Sequence, residues 1–150
     1  MPYWAELWPA ATAVVEALPE RLDGVRVLEL GCGLGVPSLV AAARGAQVTA
    51  VDWAAEAVRL LRRNAQRNGL ALVAKTHDWR QPLDETFDLA LAADVLYERR
   101  NVEPVLALLR EAAPEALVGL AGRPYEAEFL RRAGDVERVA ERVVRLTSRF

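Results

Sequence analysis

At 150 residues, with 53% hydrophobic content and a net charge of -2, the chain is long enough for a real core and too apolar to be disordered. One cysteine, Cys32, excludes an internal disulfide and a cysteine-based zinc site, and a single histidine argues against any other metal cluster. The charge balance gives no global reason to expect nucleic acid. With no leader-like start and no membrane-length apolar run, one cytoplasmic domain spanning residues 1–150 is expected.

Tyr3, Trp4 and Trp8 crowd the start, ahead of Pro9 and a helical run from Ala10 to Leu18 with Ala10, Ala13, Val14 and Ala17 on one face. The two tryptophans, four apart, read either as packing anchors or as a lid whose indole lies beside a bound cation. Within the segment 1–20, Trp8 is the better lid candidate. Pro19 to Gly24 turns into a short apolar run, Val25 to Leu30, of the kind that forms a buried parallel strand. Gly31, Gly33 and Gly35 follow, spaced so that backbone can approach a ligand closely. Helical spacing resumes in Val36, Leu39, Val40 and Ala43, with Pro37 in the first turn and Gly45 as a C-cap. Gln47 to Val51 is the next strand and delivers Asp52 at its carboxyl end.

Two chemistries share this βαβ layout. A dinucleotide fold wants G-x-G-x-x-G, with amides and a helix N-terminus facing a pyrophosphate. Here the third glycine comes one residue early and Glu29 precedes the motif. S-adenosylmethionine (AdoMet) carries an ammonium group that suits Glu29 and ribose hydroxyls that suit Asp52. The flanking acids favour AdoMet over a nicotinamide cofactor. Cys32 in the glycine loop and Trp53 after Asp52 belong to the same candidate cofactor surface, as does Ala93 on the approach to Asp94.

Beyond Asp52, residues 54–68 form a helix with Ala57, Val58, Leu61 and Ala65 inward, and Arg59, Arg62, Arg63 and Arg67 on a solvated face rather than a polyanion site. Leu70 to Thr76 is strand three. Asp78 beyond it is placed either to accept the adenine amino group or to cap a loop, and Trp79 either to cover the ring or to fill a core edge; His77 is structural or exposed. Phe87 to Ala92 is strand four and runs into Asp94, Tyr97 and Glu98, an acid and a phenol at the mouth of the site. Asn101 to Ala113 is a helix, Ala116 to Ala121 strand five, and Tyr125 to Arg132 a short helix. The tail from Val136 to Phe150 fits a helix through Val136, Val139, Ala140 and Val143, or a strand through Val143 to Thr147.

Trp4-Ala-Glu-Leu-Trp8-Pro9, Leu28-Glu29-Leu30-Gly31-Cys32-Gly33-Leu34-Gly35, Asp52 and Asp94-Val95-Leu96-Tyr97-Glu98 together resemble the seven-strand lysine methyltransferases, a branch of the class I AdoMet-dependent enzymes. The resemblance covers nearly the whole chain. It implies a Rossmann-like, doubly wound α/β fold: a mostly parallel seven-stranded sheet, helices on both faces, and a C-terminal antiparallel hairpin from the tail. By position, Trp8, Glu29, Gly31, Gly33, Asp52 and Asp78 would line the cofactor, with Asp94 and Tyr97 where the methyl meets its acceptor, a protein lysine. No metal is implied. The chain starts almost at the Trp4 motif, without the extension many members carry, and a shallow, uncovered site is expected. A small-molecule N- or O-methyltransferase and a non-catalytic AdoMet-binding module are the rival readings.

Overall fold

The computed structural model describes residues 2–147. Its strands are β1 (Arg26–Leu30), β2 (Gln47–Asp52), β3 (Val73–Thr76), β4 (Leu89–Ala93), β5 (Glu115–Gly119), β6 (Val136–Ala140) and β7 (Val143–Thr147). They form one seven-stranded sheet in the order β3-β2-β1-β4-β5-β7-β6, with β1 to β5 mutually parallel and β7 antiparallel to both its neighbours. The order reverses between β1 and β4. In open sheets of this kind ligands bind at that reversal, beyond the carboxyl ends of the strands.

Helices α1 (Pro9–Ala17), α2 (Val36–Ala43) and α3 (Ala55–Arg67) cover one face; α4 (Val102–Ala112) and α5 (Glu126–Ala133) cover the other. The central strands are buried on both sides: Leu28 and Leu30 pack with α4 and α5, while Val27 and Leu91 pack with α1 and α2. That double burial is why the strands read as continuous apolar runs. Phe129 of α5 is wholly buried, so truncating it to Ala costs about 3–5 kcal/mol. The crossover from β3 to β4 has no helix; Trp79 and Phe87 from that loop fill the α4 face instead.

The βαβ unit, the two-faced helix packing and the parallel strands follow the sequence expectation. Strand three is shorter than expected: Leu70 belongs to the turn ending α3, its amide bonded to the Ala65 carbonyl at 2.9 Å. The expected helix from Asn101 is preceded by a 3-10 turn, Arg99–Asn101. The tail is a hairpin, β6 and β7, up to Thr147; residues 148–150 of the tail reading lie outside the described residues. Val136 and Val139 pack on opposite faces of the sheet, so their spacing of three is no helical stripe. Among the described residues no helix is long and apolar enough to cross a membrane, and no group of three or more His, Cys, Asp or Glu could hold a metal.

Candidate functional site

β1 carries Glu29 and then breaks into the glycine loop, which ends in Gly35 at the N-cap of α2. Glu29 is 2% exposed; its carboxylate accepts the Ser38 amide at 2.9 Å and is also bonded by the Ser38 hydroxyl. Ser38 lies in the first turn of α2, where free amides favour an acid. Burial outweighs these bonds and pushes the Glu29 carboxyl up to about 8.

Asp52, also buried, ends β2. One carboxylate oxygen accepts the Gly33 amide and the other the Ala54 amide, both at 2.9 Å. The acid on the second strand therefore fixes the loop leaving the first. Burial is the main influence on its carboxyl and raises it. Three more loop amides are also used: Gly31 and Cys32 donate to the Val51 carbonyl at 2.8 and 3.1 Å, and Gly35 to the Cys32 carbonyl at 2.6 Å. A loop that spends these amides internally, with two acids beside it, is a poor seat for a pyrophosphate.

Above the ends of β1, β2 and β4 lies a cavity of about 360 Å³, within the size range of small-ligand sites. Glu29, Gly31, Cys32, Gly33, Gly35 and Asp52 line it from the glycine-loop side, with the exposed ring of Trp53 beside them. Ala93, Asp94, Tyr97 and Glu98 line it from the β4 side. Trp79 is buried on its wall, and the indole N–H has no hydrogen-bond partner. An unpaired buried donor is rare enough to ask for a ligand acceptor.

Asp78 stands apart from these residues. It is not on the cavity wall; its carboxylate holds the Arg80 side chain (2.6 Å to Nη2) and the Arg80 amide (2.9 Å). This is the loop-capping alternative, and Arg80 holds the carboxyl down at about 2. His77 likewise is structural, its Nε2 at 2.9 Å from the Gln81 carbonyl. On α3, Arg59 pairs with Glu56 and Arg62 bonds the Ala74 carbonyl, in keeping with a solvated face.

The expected bare mouth is roofed. Residues Tyr3–Ala5 form a 3-10 turn across the glycine loop. An ideal Cβ on Gly33 would stand 3.1 Å from the Trp4 carbonyl oxygen, a close approach that glycine permits. Trp8 donates its indole N–H to the Tyr3 carbonyl at 3.1 Å, and its ring centroid lies 4.6 Å from that of Tyr3. Tyr3 continues to Tyr97 at 5.2 Å and Tyr97 to Trp79 at 6.4 Å. Four aromatic rings thus run in contact from the roof to the sheet, a wall suited to a sulfonium cation.

Asp94 carries a backbone feature that the sequence does not announce: φ is 52°, the left-handed region, at a cost of about 1–2 kcal/mol for a non-glycine residue. Its side chain is held by Arg123, with Nε on Oδ1 and Nη2 on Oδ2, both at 2.8 Å, and by the Tyr3 hydroxyl at 3.3 Å. Sequence reasoning missed Arg123. It sits 29 residues downstream in the loop after β5, and only the sheet order brings it to Asp94.

Residues 27–114 match the Methyltransferase domain family, more than half of the chain. The chain belongs to that family. Among curated proteins, this methyltransferase domain is 31% identical over 142 residues to the electron transfer flavoprotein beta subunit lysine methyltransferase of Danio rerio, covering 88% of this chain and 55% of that protein. It is 35% identical over 111 residues to the ribosomal RNA small subunit methyltransferase C of Chromohalobacter salexigens, covering 71% of this chain and 33% of that protein. The domain thus spans from about a third to just over half of the length of these relatives. Among solved structures, it superposes on the magnesium protoporphyrin IX methyltransferase of Synechocystis, crystallised with bound SAM, with a TM-score of 0.77. That match covers 91% of this chain and 77% of the other at 23% identity, and it is a likeness of fold.

Proposed function

We propose that this methyltransferase domain binds AdoMet and methylates a nitrogen on a protein side chain, with lysine as the favoured acceptor. The observation that carries the cofactor is the pair of buried acids, Glu29 and Asp52, on one cavity wall beside a loop whose Gly31, Cys32, Gly33 and Gly35 amides are already used. That donor set fits an ammonium group and two ribose hydroxyls and disfavours a pyrophosphate. Glu29 would take the ammonium, Asp52 the ribose, and the Trp79 indole N–H an acceptor atom of the ligand. Trp53 would cover the adenine from the rim, and Trp8 with Tyr3 would close the roof.

When bound, AdoMet would supply the methyl group to the lone pair of the acceptor nitrogen, with the C–S electron pair returning to sulfur and the acceptor's proton leaving to water. The chain's main contribution is alignment, holding the acceptor in line at near-attack distance. The acceptor must be neutral to attack, and a free lysine is protonated below about pH 10. Asp94 and Tyr97 orient it, and Asp94 does no general-base work. Exposed Tyr3, Leu7 and Trp53 at the mouth give an apolar rim on which a protein can dock. The lysine methyltransferase relative aligns along 88% of the chain, against 71% for the ribosomal RNA enzyme, which supports the protein acceptor.

The aromatic roof favours a second reading, a small enclosed acceptor such as an amine or phenol. Incubation with methyl-labelled AdoMet and separated protein and small-molecule fractions of a cell lysate distinguishes the two. Label recovered as methyl-lysine after protein hydrolysis is the expected result. Label confined to the small-molecule fraction, or no transfer at all, would overturn the protein-acceptor reading.

A further inference from the structure

The pair formed by buried Asp94 and half-buried Arg123 is a charge arrangement that the proposed reaction needs. An aspartate facing an acceptor amine stabilises its ammonium form, which cannot attack. In this structure the Asp94 carboxylate is 1% exposed, and both oxygens are engaged by a two-pronged guanidinium. Arg123 is itself fastened: it bonds the Tyr3 hydroxyl and lies 5.7 Å from the Tyr3 ring centroid and 5.6 Å from that of Trp8. Bidentate pairing of this kind is geometrically fixed and strong.

The other ionisable groups nearby do not replace that cation. Glu126 of α5 caps the β5 loop through the Ala121 and Gly122 amides. Glu98 pairs with Arg100, and Asp52 bonds the Gly33 and Ala54 amides. Glu29 bonds Ser38, while Glu6 and Tyr97 share the cavity wall without bringing a positive charge. Among the described residues, Arg123 is the cation that the structure puts on Asp94.

We propose that Arg123 is a positioning residue that cancels the Asp94 charge, so that the acceptor side of the cavity admits a neutral amine and does not trap an ammonium ion. This rests on the reading of Asp94 as an acceptor-side residue. It makes the roof, through Tyr3, part of the same device: the segment that covers the cavity also holds the guanidinium on the acid.

The test uses the full chain saturated with S-adenosylhomocysteine (AdoHcy) and n-butylammonium as the probe of a lysine side chain, with its dissociation constant read by NMR titration at pH 7. Arg123→Gln is expected to bind the probe about tenfold more tightly than the wild type, since an uncompensated carboxylate shifts a neighbouring cation's protonation and affinity by one unit or more. Arg123→Lys keeps a cation without the fork and is expected to gain a few-fold. The double variant Asp94→Asn, Arg123→Gln is expected to lose the gain. A folded Gln variant that binds the probe no better than wild type, or a gain that survives in the double variant, overturns the proposal. Should the Gln variant fail to fold, the Lys variant decides, and equal affinity with wild type overturns it. Failure of AdoHcy to bind the wild type is a separate outcome, which overturns the cofactor reading.

Discussion

Glu29 can be tested by a change of one atom's chemistry, Glu29→Gln. Its carboxyl is pushed from an ordinary 4.5 up to about 8 because it is buried. The folded chain therefore holds a proton that the unfolded chain releases. The resulting stabilisation is complete below pH 4.5 and is lost as the pH rises towards 8. At about 1.4 kcal/mol per unit, the site gives up roughly 3 kcal/mol between pH 4.5 and pH 7. Gln keeps the shape and an acceptor for the Ser38 amide but never ionises. The variant should match the wild type near pH 4.5 and be about 4 kcal/mol more stable by pH 8, or about 8–16 °C in Tm for a domain of this size. Thermal unfolding followed by circular dichroism across pH 4.5 to 8.5 measures this. Tm curves of the two proteins that run parallel would refute the reasoning. The same linkage predicts that AdoHcy, whose ammonium group favours ionised Glu29, binds the wild type more tightly as the pH rises to 8, and that Glu29→Gln loses this dependence.

Three further substitutions probe other parts of the site. Asp52→Asn puts an NH2 against one of two backbone donors, Gly33 or Ala54, and should weaken AdoHcy at least tenfold by calorimetry, since each charge-assisted bond lost is worth about 1.5–3 kcal/mol. Gly31→Ala places a Cβ 2.8 Å from Val95 Cγ1 and 2.9 Å from Trp79 Cζ2 at a φ of 70°. It should cost about 2 kcal/mol in urea unfolding and push the indole into the cavity, lowering AdoHcy affinity. Tyr3→Phe keeps the aromatic contacts and removes the hydroxyl shared with Asp94 and Arg123. Global stability should change by under about 1 kcal/mol, while amide exchange across residues 3–8 speeds up; unchanged exchange would mean that the hydroxyl does not fasten the roof.

Local chemistry was readable in the sequence wherever one segment carries its own signal. The apolar runs of β1 and β4, the glycines and the acids at strand ends marked both the βαβ unit and the residues that converge on the cavity. What stayed hidden depends on partners distant in the chain. The Arg123 pairing spans 29 residues and exists because β4 and β5 are neighbours. Tyr3 reads as one more terminal aromatic until the sheet places Asp94 beneath it. The tail was ambiguous because Val136 and Val139 serve opposite faces of the sheet, a spacing that one-dimensional periodicity cannot separate from a helix.

The cofactor is the claim on which the rest stands, and thermal unfolding with AdoHcy, AdoMet and NAD in parallel tests it directly. A ligand at a hundred times its dissociation constant stabilises the folded state by about 2.7 kcal/mol. The structure predicts that shift with AdoHcy and AdoMet and none with NAD. A shift with NAD alone would contradict the reading of the Gly31–Gly35 loop and its two acids, and with it the proposed methyl transfer.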